Sequence, residues 1–172
     1  LYTSKGDFLP QNATIEGDWS GACFFLTAAA LGGEITVKGL DLNSTQGDKS
    51  VLELYKKFGA EIKTEKEKIF IKNNPTRGIL INCAEIPDAV PALAVLAAAS
   101  KGQTEIRGGE RLRLKETDRI KTVIDGLKAM GITVEELPDG MIITGRNPKG
   151  GTVNGAGEMR IKNVTEKATL SI

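Results

Sequence analysis

The feature that most constrains this chain is an internal repeat with a period of about seventy residues. Asp18 opens an Ala/Leu-rich helical run through Leu31 that ends at Gly32-Gly33, and Glu34-Ile35-Thr36-Val37-Lys38 then alternates as a strand does. Asp88 repeats the pattern: a helical run from Ala89 to Ala99 stops at Lys101-Gly102, and Gln103-Thr104-Glu105-Ile106-Arg107 alternates. The second halves also correspond. Val51-Leu52, Tyr55 and Phe58-Gly59-Ala60-Glu61-Ile62 parallel Val123-Ile124, Leu127 and Met130-Gly131-Ile132-Thr133-Val134. In each half, apolar residues at helical spacing meet a glycine stop before a strand. Each half then predicts a hairpin, into Ile69-Phe70-Ile71 in the first and through Pro138-Asp139-Gly140 into Met141-Ile142-Ile143 in the second.

The repeating unit therefore reads strand–helix–strand–helix–strand–strand, an α+β architecture in which two amphipathic helices cover one sheet face. The expected units are residues 14–77 and 78–147, with a truncated third over 148–172. Gly157-Glu158-Met159-Arg160 falls one period after Pro87-Asp88-Ala89-Val90, and the fourteen residues after Glu158 suffice for one helix or a strand pair. The chain starts at Leu1 without an initiator methionine, so it reads as a piece of something longer.

Composition narrows the chemistry. Twenty-three basic and 22 acidic residues leave a net charge of +1, which gives no general pull toward nucleic acid or an anionic membrane. Aromatic residues make up only 5% and do not interleave with the basic segment, so base stacking lacks a platform. No run approaches the ~20 apolar residues of a membrane span, and no signal-peptide pattern opens the chain; the expected location is cytoplasmic. With no histidine, a Ser-His-Asp triad and imidazole acid–base work are excluded within this chain. Cys23 and Cys83, the two cysteines, read as small buried hydrophobes and offer neither a disulfide framework nor a metal site.

One window stands apart. Arg111-Leu112-Arg113-Leu114-Lys115-Glu116-Thr117-Asp118-Arg119-Ile120-Lys121 carries five cations and two anions in eleven residues, between a strand and a helix. Thr117 reads as the helix cap, with Asp118 suited to the positive end of the helix dipole. Free amide groups there, flanked by Lys115 and Arg119, form a seat for phosphate or carboxylate. Glu116 among these cations would be held ionised yet near enough to a ligand to move a proton. From residue types alone, capping with solvated ion pairs is the favoured reading of the window. Asp88 has the same plain alternative, as a cap for the helix it opens. Asp18 and Asp48, each following a glycine before a helical run, read as caps.

The block Arg113-Leu114-Lys115-Glu116-Thr117-Asp118-Arg119-Ile120 resembles the signature of the 5-enolpyruvylshikimate-3-phosphate synthase family. Glu16-Gly17-Asp18-Trp19-Ser20-Gly21-Ala22, Asn43-Ser44-Thr45-Gln46-Gly47-Asp48 and Ile86-Pro87-Asp88-Ala89 resemble it too, in the family's order. The resemblance implies the inside-out α/β barrel of enolpyruvyl transferases, in which each of two domains joins three βαβαββ repeats; residues 1–172 would form most of the second domain. It implies transfer of the enolpyruvyl group of phosphoenolpyruvate to the 5-hydroxyl of shikimate 3-phosphate, by addition and elimination with release of phosphate. It further implies that no metal and no cofactor takes part. Asp88 matches the shikimate-binding proton acceptor, Lys115 a lysine reaching both substrates, and Glu116 the group handling the methylene proton. Arg119 matches an arginine that holds phosphoenolpyruvate. Arg160 falls where a further arginine of that subsite belongs, although Glu158-Met159-Arg160 stands where the family usually reads Asp-His-Arg. The family's first domain supplies the rest of the site, so this chain alone is expected to be inactive or weakly active. The alternatives are an enolpyruvyl transferase acting on a UDP-sugar and a non-catalytic anion-binding scaffold of the same fold.

Overall fold

The computed structural model describes residues 6, 12, 14–66, 68–74, 76–146, 148–154 and 160–161. The first repeat runs α1 (Trp19–Gly32), β1 (Glu34–Lys38), a 3-10 turn (Gly47–Ser50), α2 (Val51–Phe58), β2 (Glu61–Glu65) and β3 (Lys68–Lys72). The second runs β4 (Leu80–Asn82), a 3-10 turn (Pro87–Ala89), α3 (Val90–Ala99), β5 (Gly102–Arg107), a 3-10 segment (Glu110–Leu114), α4 (Arg119–Ala129), β6 (Thr133–Leu137) and β7 (Gly140–Gly145). A short antiparallel pair, β8 (Val153–Asn154) and β9 (Arg160–Ile161), follows.

Local chemistry accounts for these elements. Asp18 accepts hydrogen bonds from the Ser20 and Gly21 amides and so starts α1, as expected. Pro91 sits in the first turn of α3, where no intrahelical N–H is lost. Gly59, at φ 119, takes the left-handed conformation that ends α2. The predicted hairpins both form, with Ile62 opposite Ile71 in the first and Leu137 opposite Gly140 in the second.

Apart from the β8–β9 pair, the strands of the described residues make two sheets, ordered β1-β3-β2 and β4-β5-β7-β6. All pairs are antiparallel except β4 with β5, where Ile81 lies beside Ile106 in a parallel pair. In the first repeat, no strand precedes α1 among the described residues. The Gly17 amide donates to the Gly39 carbonyl (2.9 Å) just before α1, and in the second repeat Cys83 N–H donates to the Arg107 carbonyl (2.8 Å).

Helices α1 and α3 pack side by side at the centre, with Trp19, Leu26, Leu93 and Leu96 fully buried. Tyr55 Oη donates to the Cys23 carbonyl (2.8 Å) and shares a hydrogen bond with Thr27 Oγ1 (2.8 Å), which also reaches the Ala92 carbonyl of α3 (3.4 Å). The buried hydroxyls of Tyr55 and Thr27 are thereby satisfied, and they link the two repeats. Both cysteines are buried, and burial pushes the Cys23 thiol up to about 12 and the Cys83 thiol to about 11. Among the described residues, no helix is long and apolar enough to cross a membrane. This core brings the first turns of α1, α3 and α4 to one end of the molecule.

Candidate functional site

A groove of about 530 Å³ opens between those helix starts, lined by Asp18, Ser20 and Gly21 of α1, Asp88 and Pro91 before and in α3, and Arg119, Thr122 and Val123 of α4, with Phe24 at its apolar side. Arg119 crosses it. One arm of the guanidinium, Nη1, donates to Asp88 Oδ1 at 2.6 Å. The other side donates twice to Glu116 Oε1, from Nε at 3.2 Å and Nη2 at 2.5 Å. Lys115 Nζ stands 4.0 Å from the same Asp88 oxygen. Four side chains drawn from two loops therefore meet at one point, Asp88, Lys115, Glu116 and Arg119. Asp88 retains 47% of its side-chain exposure and Glu116 66%, so both carboxylates remain open to a ligand.

The Arg119 guanidinium holds the Glu116 carboxyl below the usual carboxylate range, aided by a backbone hydrogen bond. Arg119 is raised in turn, chiefly by Glu116 and also by Asp88. The Asp88 side chain does not cap α3: it lies in the Pro87–Ala89 turn, which has no side-chain cap, and its charge is spent on Arg119. The capping alternative for Asp88 is overturned by that pairing.

Two other expectations need correction. Asp118, not Thr117, caps α4. Its Oδ1 accepts from the Lys121 amide at 3.0 Å while its backbone is extended, and Thr117 lies one residue outside the turn. Asp48 does not cap α2, since the turn at Gly47–Ser50 has no side-chain cap and Asp48 Oδ1 is buried without a hydrogen-bond partner. Burial raises the Asp48 carboxyl, and the charges of Asp88 and Asp18 raise it further. A carboxyl raised on folding lends stability below its ordinary range and withdraws it as pH climbs through the folded value. Asp48→Asn is thus expected to raise the urea midpoint at pH 7 by an amount worth about 1 kcal/mol. The gain should shrink when the same titration is run near pH 4.

Arg160 pairs through its backbone with Asn154 in β9, and its side chain lies outside the described residues, as do Glu158 and Met159. The sequence reading confined Asp18 to capping, yet it also lines the groove opposite Asp88. The repeat itself carried that signal, because Asp18 and Asp88 occupy the same place in their units.

Gly47 ties the first repeat to this site. A Cβ there would lie 2.3 Å from the Glu85 carbonyl, so the turn before α2 rests directly on the loop that carries Asp88. The neighbouring Gln46 amide group pins the start of α1, donating to the Gly17 carbonyl (3.0 Å) and accepting from the Trp19 amide (3.0 Å). The motif residues around Asp18, Asp48 and Asp88 are thus one connected frame.

Comparison with known proteins places the chain among its relatives. The profile of EPSP synthase (3-phosphoshikimate 1-carboxyvinyltransferase) matches residues 2–163. The 3-phosphoshikimate 1-carboxyvinyltransferase of Clostridium novyi (strain NT) is 44% identical over 148 residues, covering 86% of this chain and 34% of that protein. Its counterpart in Methanocaldococcus jannaschii is 41% identical over 150 residues, covering 86% and 35%. A solved EPSP synthase from Acinetobacter baumannii superposes with a TM-score of 0.68 at 34% identity, covering 77% of this chain and 33% of that one. The enolpyruvyl transferase NikO from Streptomyces tendae, at 17% identity and a TM-score of 0.56, shares the fold. The chain spans about a third of the length of the curated relatives it matches. On the strength of a profile match over nearly its whole length, the chain belongs to the EPSP synthase (3-phosphoshikimate 1-carboxyvinyltransferase) family.

Proposed function

We propose that residues 1–172 form most of the second domain of an enolpyruvyl transferase and supply one wall of its active site. The reaction is transfer of the enolpyruvyl group of phosphoenolpyruvate to the 5-hydroxyl of shikimate 3-phosphate. The observation that carries this reading is the Arg119 fork, which joins Asp88 to Glu116 with Lys115 alongside. In the addition step, Asp88 takes the proton of the attacking hydroxyl as the new C–O bond forms at C2 of phosphoenolpyruvate, and a proton is delivered to the methylene carbon. In the elimination step that carbon gives up a proton, the C2–phosphate bond breaks and phosphate leaves.

Glu116 suits the second proton transfer. Held ionised by Arg119, it is a base in the resting site. To donate a proton during addition it must first leave Arg119 and take up a proton from solvent, and a substrate carboxylate taking the same guanidinium edge would release it for that. Lys115, a compact charge beside Asp88, would serve both anionic ligands. The groups that would complete the transition-state contacts belong to the longer protein, and differential binding needs them all together.

Phosphate release with both substrates tests the proposal. The chain alone is expected to give little or no turnover, and mixing it with the separately expressed remainder of a family enzyme is expected to restore it. Lys115→Ala should then lower the restored rate. Silence after reconstitution, with both parts folded, would overturn the catalytic reading in favour of a non-catalytic scaffold. Tight binding of a UDP-sugar in calorimetry would point to the sister transferase.

A further inference from the structure

We propose that Arg113 is a positioning residue, one that sets the bend carrying Lys115 and Glu116 and aims α4 so that Arg119 meets Asp88; the functional meaning of this role rests on the reading above. The guanidinium is engaged on all three nitrogens. Nε donates to the Pro138 carbonyl at 2.8 Å, and Nη2 to the Leu137 carbonyl at 2.7 Å and the Glu136 carboxylate at 2.9 Å. Nη1 donates to Asp118 Oδ2 at 2.8 Å. Arg113 therefore joins three things, the segment it sits on, the β6–β7 hairpin, and the residue that caps α4.

The bond to Asp118 closes a short loop. Leu114, Lys115, Glu116 and Thr117 lie between the two partners, and Leu114 is 86% exposed, so nothing buried holds the bend from inside. On the near side the chain is anchored by Leu112, which is buried, and on the far side by the Asp118 cap. Without Arg113 the cap would keep its amide bond to Lys121 but lose its tie to the hairpin, and the four-residue bend would rest on the exposed Glu116–Arg119 pair, with its near end loose beyond Leu112. Holding a short segment by both ends removes conformational freedom that ligand binding would otherwise have to remove. Lysine cannot substitute, because a single ammonium cannot span two carbonyls and two carboxylates set in a planar fan. Arg113 itself faces the hairpin and the cap, so its part is geometric and not direct contact with a ligand.

The test uses the whole chain and two readouts. Carboxyl resonances followed by NMR against pH report Glu116, which Arg119 depresses, and Asp18, which the Ser20 hydroxyl and Gly21 amide depress at the far side of the groove. In Arg113→Lys and Arg113→Ala, the Glu116 midpoint is expected to rise toward an ordinary carboxylate while that of Asp18 stays put. Calorimetry with inorganic phosphate is expected to show affinity reduced about tenfold or more in both variants, as misplaced contact groups commonly produce. A Glu116 midpoint unchanged from wild type, with or without a drop in thermal stability, would overturn the positioning role. If the Glu116 midpoint rises but the wild-type chain binds no phosphate, the positioning role stands and the anion-site reading falls. Should Arg113→Ala fail to fold, Arg113→Lys carries the decision, since it keeps the charge and loses only the fork.

Discussion

Arg119→Ala is expected to weaken binding of phosphoenolpyruvate to the reconstituted enzyme by one to two orders of magnitude, about 1.5–3 kcal/mol for the lost charge-assisted contacts. The effect should exceed simple loss of one cation. In the native chain the guanidinium balances two carboxylates, Asp88 and Glu116, and its removal leaves both facing an anionic ligand. Stability should hardly move, because the paired carboxylates are 47% and 66% exposed and solvent screens such pairs. Calorimetry for affinity and urea unfolding for stability separate the two. A large loss of stability with affinity intact would mean that Arg119 is a structural strut and that the site lies elsewhere.

Gly47→Ala is expected to act the other way, on the fold first and the site second. The added methyl would stand 2.3 Å from the Glu85 carbonyl, well inside contact distance, and that atom belongs to backbone that has no rotamer to change. The turn before α2 and the loop before Asp88 must separate. Overpacking of this kind costs about 1–3 kcal/mol, which should appear as a lower urea midpoint. The displaced loop also carries Asp88 away from Arg119, so the Glu116–Arg119 pair should persist while the Asp88–Arg119 bond is lost. An unchanged midpoint would show that the loop yields freely and that the frame linking the two repeats is loose.

Much of this molecule could be read before its coordinates. Helix α1 follows from the Asp18 cap before an Ala/Leu run and α3 from Pro91 in the first turn of another, because capping and intrinsic helix preference are local properties. The four residues that meet at the groove, Asp88, Lys115, Glu116 and Arg119, are legible through the family resemblance of two short segments, whereas residue types alone favour a cap at Asp88 and a capped, solvated window at the other three. What escaped was of another kind. Thr117 and Asp118 are both good caps by residue type, and the place where the backbone turns from extended to helical, at Asp118, decides between them. Asp48 follows a glycine just as Asp18 does, yet the turn at Gly47 aims its carboxyl inward, where one oxygen finds no donor. Nothing near Asp48 in the chain announces that.

The repeat, its period and the identity of the charged residues at the helix starts belong to the sequence, since each depends on neighbours a few positions away. That Asp88 and Arg119, thirty-one residues apart, share a 2.6 Å bond belongs to the tertiary structure. So does the resting of Gly47 on Glu85, and so do the bonds from Arg113 to a hairpin some two dozen residues downstream. Local propensities choose helices and strands, but they carry no record of distance across the fold. Only the packing of α1 against α3, with the sheets behind them, brings those loops to one end and turns separate charges into a single site.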